Sequence, residues 1–146
     1  MSHVRIWVHA VWGTKNHAPL ITEAIRVSFF KHIKENATSK GMYINFINGT
    51  ENHVHCLLTL NADYSISKTI NQIKGEASNW INKQGLLQHR FEWAAEYFAS
   101  SVSDSRVPYV VAYIKNQEEH HRTMTFEEEY QKFIVGLTKN KNVDNE

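Results

Sequence analysis

His53 and His55 stand two residues apart in the run TENHVHCLLTL, residues 50–60. The apolar neighbours Val54, Cys56, Leu57, Leu58 and Leu60 mark a buried or half-buried strand, and alternate residues of a strand share a face. Two imidazoles therefore project the same way. Their ring nitrogens can hold one divalent metal, or the rings can simply be hydrogen-bonded on a sheet; the pair alone leaves both readings open. A second set lies in YVVAYIKNQEEHH, residues 109–121. Tyr113 and Gln117 are four apart and share a helical face, Tyr109 sits one turn earlier, and His120 and His121 continue near that face. Alone, Tyr109 reads as core, Tyr113 equally as core or as a reactive group, and Gln117 as a solvated helix residue. Taken with the histidines they suggest a reaction. A tyrosine can form a covalent intermediate, although a phenol with a pKa of ~10 is almost wholly protonated at neutral pH. A cation held by two imidazoles and an amide oxygen would polarise a phosphodiester for in-line attack.

The elements that must position these groups follow from periodicity. Residues 4–12 alternate, with Val4, Ile6, Val8 and Ala10 on one face and Arg5, Trp7, His9 and Val11 on the other, which predicts a strand. Thr22 caps a predicted helix over 22–40 carrying Ile25, Phe29, Phe30 and Ile33, and Gly41 stops it. MYINFI (42–47) is a second strand, NGTEN a turn, and HVHCLLTL the third strand. A second helix over 65–84 has the apolar stripe Ile66, Ile70, Ile73, Ala77, Trp80 and Ile81. Gly75 inside it costs roughly 1 kcal/mol relative to alanine, so either close packing or a ligand asks for it. Residues 92–103 read as a fourth strand. SRVPYVVAYIKNQEEHH reads as a third helix, with Ser105 as its cap and Pro108 in its first turn. TFEEEYQKFI reads as a short last helix. The order predicts an α+β, ferredoxin-like (RRM-like) βαββαβ sheet of four antiparallel strands. Strands 1 and 3 are central, two helices cover one face, and the other face is free for a ligand or the C-terminal helix.

Composition narrows the classes. The 146 residues fit a single domain over 1–146, with a polar tail over about 136–146 expected to be loose. Hydrophobic content of 42% and charged content of 21% are those of a globular chain. The formal net charge of +1 does not by itself announce nucleic acid. A single cysteine, Cys56, excludes an internal disulfide and suits a reducing cytoplasm. No signal peptide is expected at the N-terminus, and no run approaches the ~20 apolar residues of a membrane helix.

With these residues in view, the chain resembles the HUH superfamily of single-strand nucleases, with HVH as the His–hydrophobe–His motif. It is more similar still to the single-tyrosine transposases of small bacterial insertion sequences. HAVWGTKNHAPLI resembles that family's opening strand and loop, ENHVHCLLTL its metal strand, SISKTINQIKGEAS its second helix, EYFASSVS its last strand and YIKNQEEHH its catalytic helix. The resemblance implies that His53, His55 and Gln117 are metal ligands for Mg²⁺ or Mn²⁺ and that Tyr113 is the nucleophile, with Tyr109 left as packing. It implies a single-strand DNA endonuclease and strand transferase, forming a 5′-phosphotyrosine and recognising hairpin ends. It also implies a homodimer, in which the catalytic helix of one subunit can complete the histidine pair of the other.

One motif tyrosine, rather than two, favours a transposase over a replication initiator or relaxase. His17 stands where the family pattern has arginine, and Ala94 and Ala95 where it has glutamine and glycine; these positions bear on DNA recognition rather than on the chemistry. Arg5, Lys15, Lys68, Lys74 and Arg106 are candidate phosphate contacts. Trp7 and Trp12 suit either a paired sheet or the core. The rival class is a non-catalytic or domesticated hairpin-binding module built on the same sheet.

Overall fold

The computed structural model describes residues 2–117 and 123–144, with side chains through 137. Four strands, β1 (Trp7–Gly13), β2 (Tyr43–Gly49), β3 (His53–Thr59) and β4 (Phe98–Val102), form one antiparallel sheet in the order β2-β3-β1-β4. The helices are α1 (Glu23–Ser39), α2 (Ile66–Gln84), α3 (Val107–Lys115) and α4 (Phe126–Asp144). The α+β, ferredoxin-like order read from the sequence is the observed one, with β1 and β3 in the middle.

Alternation divides the two central strands between two layers. Val8, Ala10, Trp12, Val54, Cys56 and Leu58 point to α1 and α2, where they pack on residues such as Phe29, Ile33, Ile70, Ile73 and Ala77. Trp12 is fully buried there, which settles its role as core. Cys56 lies in the same layer, and burial pushes its thiol well above the ordinary range. The opposite face carries His9, Val11, His53 and His55. Val11 and Phe98 meet Phe126, with Tyr130 and Phe133 packed alongside. The ladder sets Val11 opposite His55 and Gly13 opposite His53.

Several boundaries differ from the periodic reading. Val4 and Ile6, predicted to begin the first strand, are 49% and 44% exposed; the register ends at Trp7 opposite Thr59, beyond which Leu60 N–H donates to the Ile6 carbonyl at 2.8 Å. Residues 92–97 do not join β4. They make one bridge, Thr14 to Trp93, and the Lys74 ammonium takes the Ala94 and Ala95 carbonyls that a neighbouring strand would have taken. Thr22 occupies the N-cap of α1 without a side-chain bond, whereas Ser65 Oγ caps α2 by accepting from Lys68 N–H. Ser105 falls in a short 3-10 turn and Arg106 takes the cap position of α3, with Pro108 in the first turn as expected. The third helix was expected to reach His121; regular α3 ends at Lys115, and His120 and His121 lie outside the described residues. The last helix is longer than the ten residues expected, and 136–144, read as a tail, continue it. Among the described residues no helix is long and apolar enough to cross a membrane.

The turn that delivers His53 depends on Gly49. A Cβ at Gly49 would lie 2.1 Å from the His53 carbonyl oxygen, while Thr50 N–H donates to that same oxygen at 3.1 Å. Gly49→Ala should therefore force β2 and β3 apart at the hairpin and destabilise the protein by about 1–3 kcal/mol, measured as a lower urea midpoint.

Candidate active site

The histidine rings are oriented from behind. His53 Nδ1 lies 2.9 Å from Thr50 Oγ1 and 3.0 Å from Asn52 Oδ1, both on the hairpin turn. His55 Nδ1 lies 2.9 Å from His9 Nε2 across the β1–β3 ladder. His9 is buried, and its pKa is pushed down to about 3, first by that burial and then by the neighbouring His55 ring, with Glu129 pulling the other way. A neutral His9 can accept the Nδ1 proton of His55. Each histidine then keeps its Nε2 lone pair for the space in front of the sheet, which is how a second partner fixes the tautomer of a metal-ligating imidazole.

The helices converge on that space. Asn48 Nδ2 on β2 donates to the Ile114 and Lys115 carbonyls at 2.9 and 3.3 Å, pinning the end of α3 against the sheet. Gln117 Nε2 donates to the Tyr113 carbonyl at 3.1 Å, which turns the amide oxygen inward, 3.1 Å from His53 Nε2. The Tyr113 ring lies 5.7 Å from that of His55. His53, His55, Gln117 and Tyr113 thus come together within one chain, where the sequence left open whether the tyrosine helix meets its own histidine pair or a partner's.

Glu129 on α4 was not singled out in the sequence. Its Oε1 lies 3.0 Å from His55 Nε2 and 3.6 Å from His53 Nε2, and its other carboxylate oxygen accepts a short hydrogen bond from the Tyr113 hydroxyl. Burial first, then the Glu129 bond and its charge, raise the Tyr113 phenol above its usual range. The signal was present in TFEEEYQKF. Glu129 shares the helical face of Phe126 and Phe133, while Glu127 and Glu128 are exposed. His9 was seen on the second face of β1, but its bond to His55 requires the register.

Tyr113 keeps an opening to solvent. A cavity of about 300 Å³ is lined by His9, Arg106, Tyr109, Val110, Tyr113 and Phe133. Tyr109, expected to pack, is 64% exposed at this mouth, with the Arg106 guanidinium 4.7 Å from its ring centre. A cation and an exposed aromatic ring beside the phenol suit a phosphate and a base. Of the other candidate phosphate contacts, Arg5 pairs with Asp104, Lys15 sits 3.1 Å from Glu92, and Lys68 lies over the Tyr64 ring. Lys74 is buried.

The donor set fits a divalent cation. Nitrogen and carboxylate atoms of His53, His55 and Glu129 lie within 4.8 Å of one another, all buried. With both Nδ1 positions protonated, two nitrogen lone pairs, an amide oxygen and a carboxylate oxygen face each other, an arrangement that a positive charge between them satisfies. Mn²⁺ at a hundredfold excess over its Kd should stabilise the fold by about 2.7 kcal/mol. The melting temperature should rise accordingly, EDTA should reverse the rise, and His53→Ala should remove it.

A candidate transposase from Deinococcus radiodurans superposes with a TM-score of 0.60 at 20% identity, covering 80% of this chain and 93% of that one. A REP-associated tyrosine transposase, solved bound to a REP hairpin, superposes with a TM-score of 0.59 at 19% identity, covering 83% and 74%. At these identities the likeness is one of fold. Among curated proteins no sequence matches at a significant level. The family model described as "Transposase IS200 like" matches residues 2–117, a span holding the histidine pair, Tyr113 and Gln117, and the chain belongs to that family.

Proposed function

We propose that the protein is a metal-dependent single-strand DNA endonuclease and strand transferase that acts on hairpin-bearing ends through a 5′-phosphotyrosine on Tyr113. The observation that carries this reading is the convergence of the Tyr113 hydroxyl, two imidazole Nε2 atoms, the Gln117 oxygen and the Glu129 carboxylate in one chain. Family membership supports the transposase class, and the structural neighbour bound to a hairpin supports the choice of nucleic acid.

His53, His55 and Gln117 would hold Mg²⁺ or Mn²⁺, with Glu129 completing the donor set; Mn²⁺ accepts imidazole more readily. Such an ion supplies Lewis-acid polarisation of a phosphodiester oxygen. The chain's own residues do the rest. Arg106 and Tyr109 at the mouth steer the backbone toward Tyr113. The phenol is held protonated, so its proton must leave as attack proceeds, and Glu129 is placed to accept it as general base. The Tyr113 oxygen–phosphorus bond forms, the bond to the 3′ oxygen breaks, and the 3′ oxygen takes up a proton. Reversal by a 3′ hydroxyl of the same or another strand rejoins DNA without ATP. On this reading Tyr113 acts in cis. A second copy would pair through the open edges of β2 or β4.

Labelled hairpin-bearing single strands incubated with and without Mn²⁺ test this on a denaturing gel. The wild type should give a metal-dependent covalent adduct. Tyr113→Phe should give none while retaining DNA binding. An adduct formed by Tyr113→Phe at wild-type level would remove Tyr113 from its role.

A further inference from the structure

Tyr113 shares its cavity with a buried histidine whose second ring nitrogen engages nothing in the site. The floor of that cavity is His9 on β1. One wall is Arg106, Tyr109 and Tyr113 along α3, and the other is Phe133 on α4. At about 300 Å³ it stands at the lower limit of ligand pockets, and its lining is mostly aromatic with few polar groups. The wall on α4 is fixed. Phe133 stacks on Phe98 with ring centres 4.8 Å apart and lies edge-on to His9 and Tyr113 at 5.6 and 6.1 Å. An aromatic lining is a poor seat for a phosphate, which would lose its hydration there, and a good one for a flat heterocycle.

His9 supplies the polar group. It is 7% exposed, and its Nε2 meets His55 Nδ1 at 2.9 Å. Its other nitrogen, Nδ1, has no hydrogen-bond partner among the described residues, yet it is not sealed from solvent. The cavity that His9 lines is the opening it reaches. When Nε2 accepts the His55 proton, a neutral His9 carries its own proton on Nδ1. A donor on a central strand then faces an aromatic slot. The rim adds Tyr109, 64% exposed, with the Arg106 guanidinium 4.7 Å from its ring centre. The acid nearest to Arg106 in sequence, Asp104, is bonded instead to Arg5 and Trp7.

We propose that this cavity is a base subsite, in which the base of a nucleotide flanking the scissile phosphate turns out of the strand, stacks on Tyr109 and accepts a hydrogen bond from His9 Nδ1. This inference rests on the proposed DNA reading and deepens it, by giving the chain its own means of choosing where to cut. Arg106 at the rim pairs with the phosphate of the same nucleotide. Turning out a base costs little in a strand that is already single. A base lodged here also fixes the adjoining phosphorus relative to the Tyr113 oxygen, since Tyr113 is part of the lining. The His9 donor makes the subsite selective. A base whose inward edge offers no acceptor leaves that N–H buried and unpaired.

Fluorescence anisotropy with Mn²⁺ and a labelled hairpin-bearing single strand, in the Tyr113→Phe background, tests it. A single abasic nucleotide is walked along the positions flanking the cleavage site mapped with the wild type, and each base is then placed in turn at the sensitive position. Loss of the base there should weaken binding about tenfold, as expected for one stacked base. Tyr109→Ala should bind the intact strand about tenfold more weakly and no longer distinguish it from the abasic one, while Tyr109→Phe should behave as its parent does. The parent should favour the best base over the worst by about tenfold. His9→Phe should keep the abasic loss but bind all four bases alike, a change that mere displacement of His55 would not produce. Equal binding of every abasic strand by the parent would overturn the subsite. So would an abasic loss of the same size in Tyr109→Ala, or an unchanged base preference in His9→Phe. If the wild type still forms its adduct in any of those cases, the subsite alone fails. If it neither binds nor cleaves DNA, the proposed function fails with it.

Discussion

Lone pairs that repel one another, gathered where water is excluded, are the constraint on which this structure turns. His53, His55, Gln117 and Glu129 are each 1% exposed or less. Burying such groups is costly unless each has a partner, and the chain supplies partners from every side. The hairpin turn and His9 fix the rings, Asn48 fixes the end of α3, and Phe126 stacks on His53 with ring centres 4.2 Å apart. Two central strands give the imidazoles a backbone that does not yield, and the helices bring oxygen ligands up to them. The arrangement is coherent only if a positive charge or shared protons occupy the middle, which is why a divalent ion is the economical reading of the donor set.

The sheet order, the two-helix layer and the pairing of the histidines with the tyrosine helix were legible in the sequence. The first two follow from the order of strands and helices, and the third from the family resemblance carried by HVH and YIKNQ. What was not legible depended on contacts between distant segments. His9 becomes a partner of His55 only through a specific strand register. Glu129 hid in a run of three glutamates, where one in three faces inward. Residues 92–97 have strand-like composition, but a lysine side chain from α2 satisfies their carbonyls, so no ladder forms. Tyr109 appeared to belong to the apolar stripe of α3, yet that stripe borders an opening rather than the core.

The two sides of the sheet divide their work unequally. The α1 and α2 layer is apolar and densely aromatic, with Phe29, Trp80, Phe91 and Trp93 in mutual ring contact. It carries the stability that the opposite face, with its concentration of polar groups, lacks. The α3 and α4 layer has a small apolar patch of Val11, Phe98 and Phe126, so its helices are held as much by hydrogen bonds and ring contacts as by hydrophobic burial. That division suits an enzyme whose catalytic side must admit a bulky charged polymer while the scaffold stays rigid.

The helix bearing Glu129 follows every strand in the polypeptide. A chain still emerging from the ribosome presents its imidazole pair and its phenol before the carboxylate that joins them has been translated. Competence to break DNA, if it needs that acid, is then acquired only at the close of synthesis. Such an order of assembly would keep nascent chains inactive until the last helix has emerged and folded back onto the sheet.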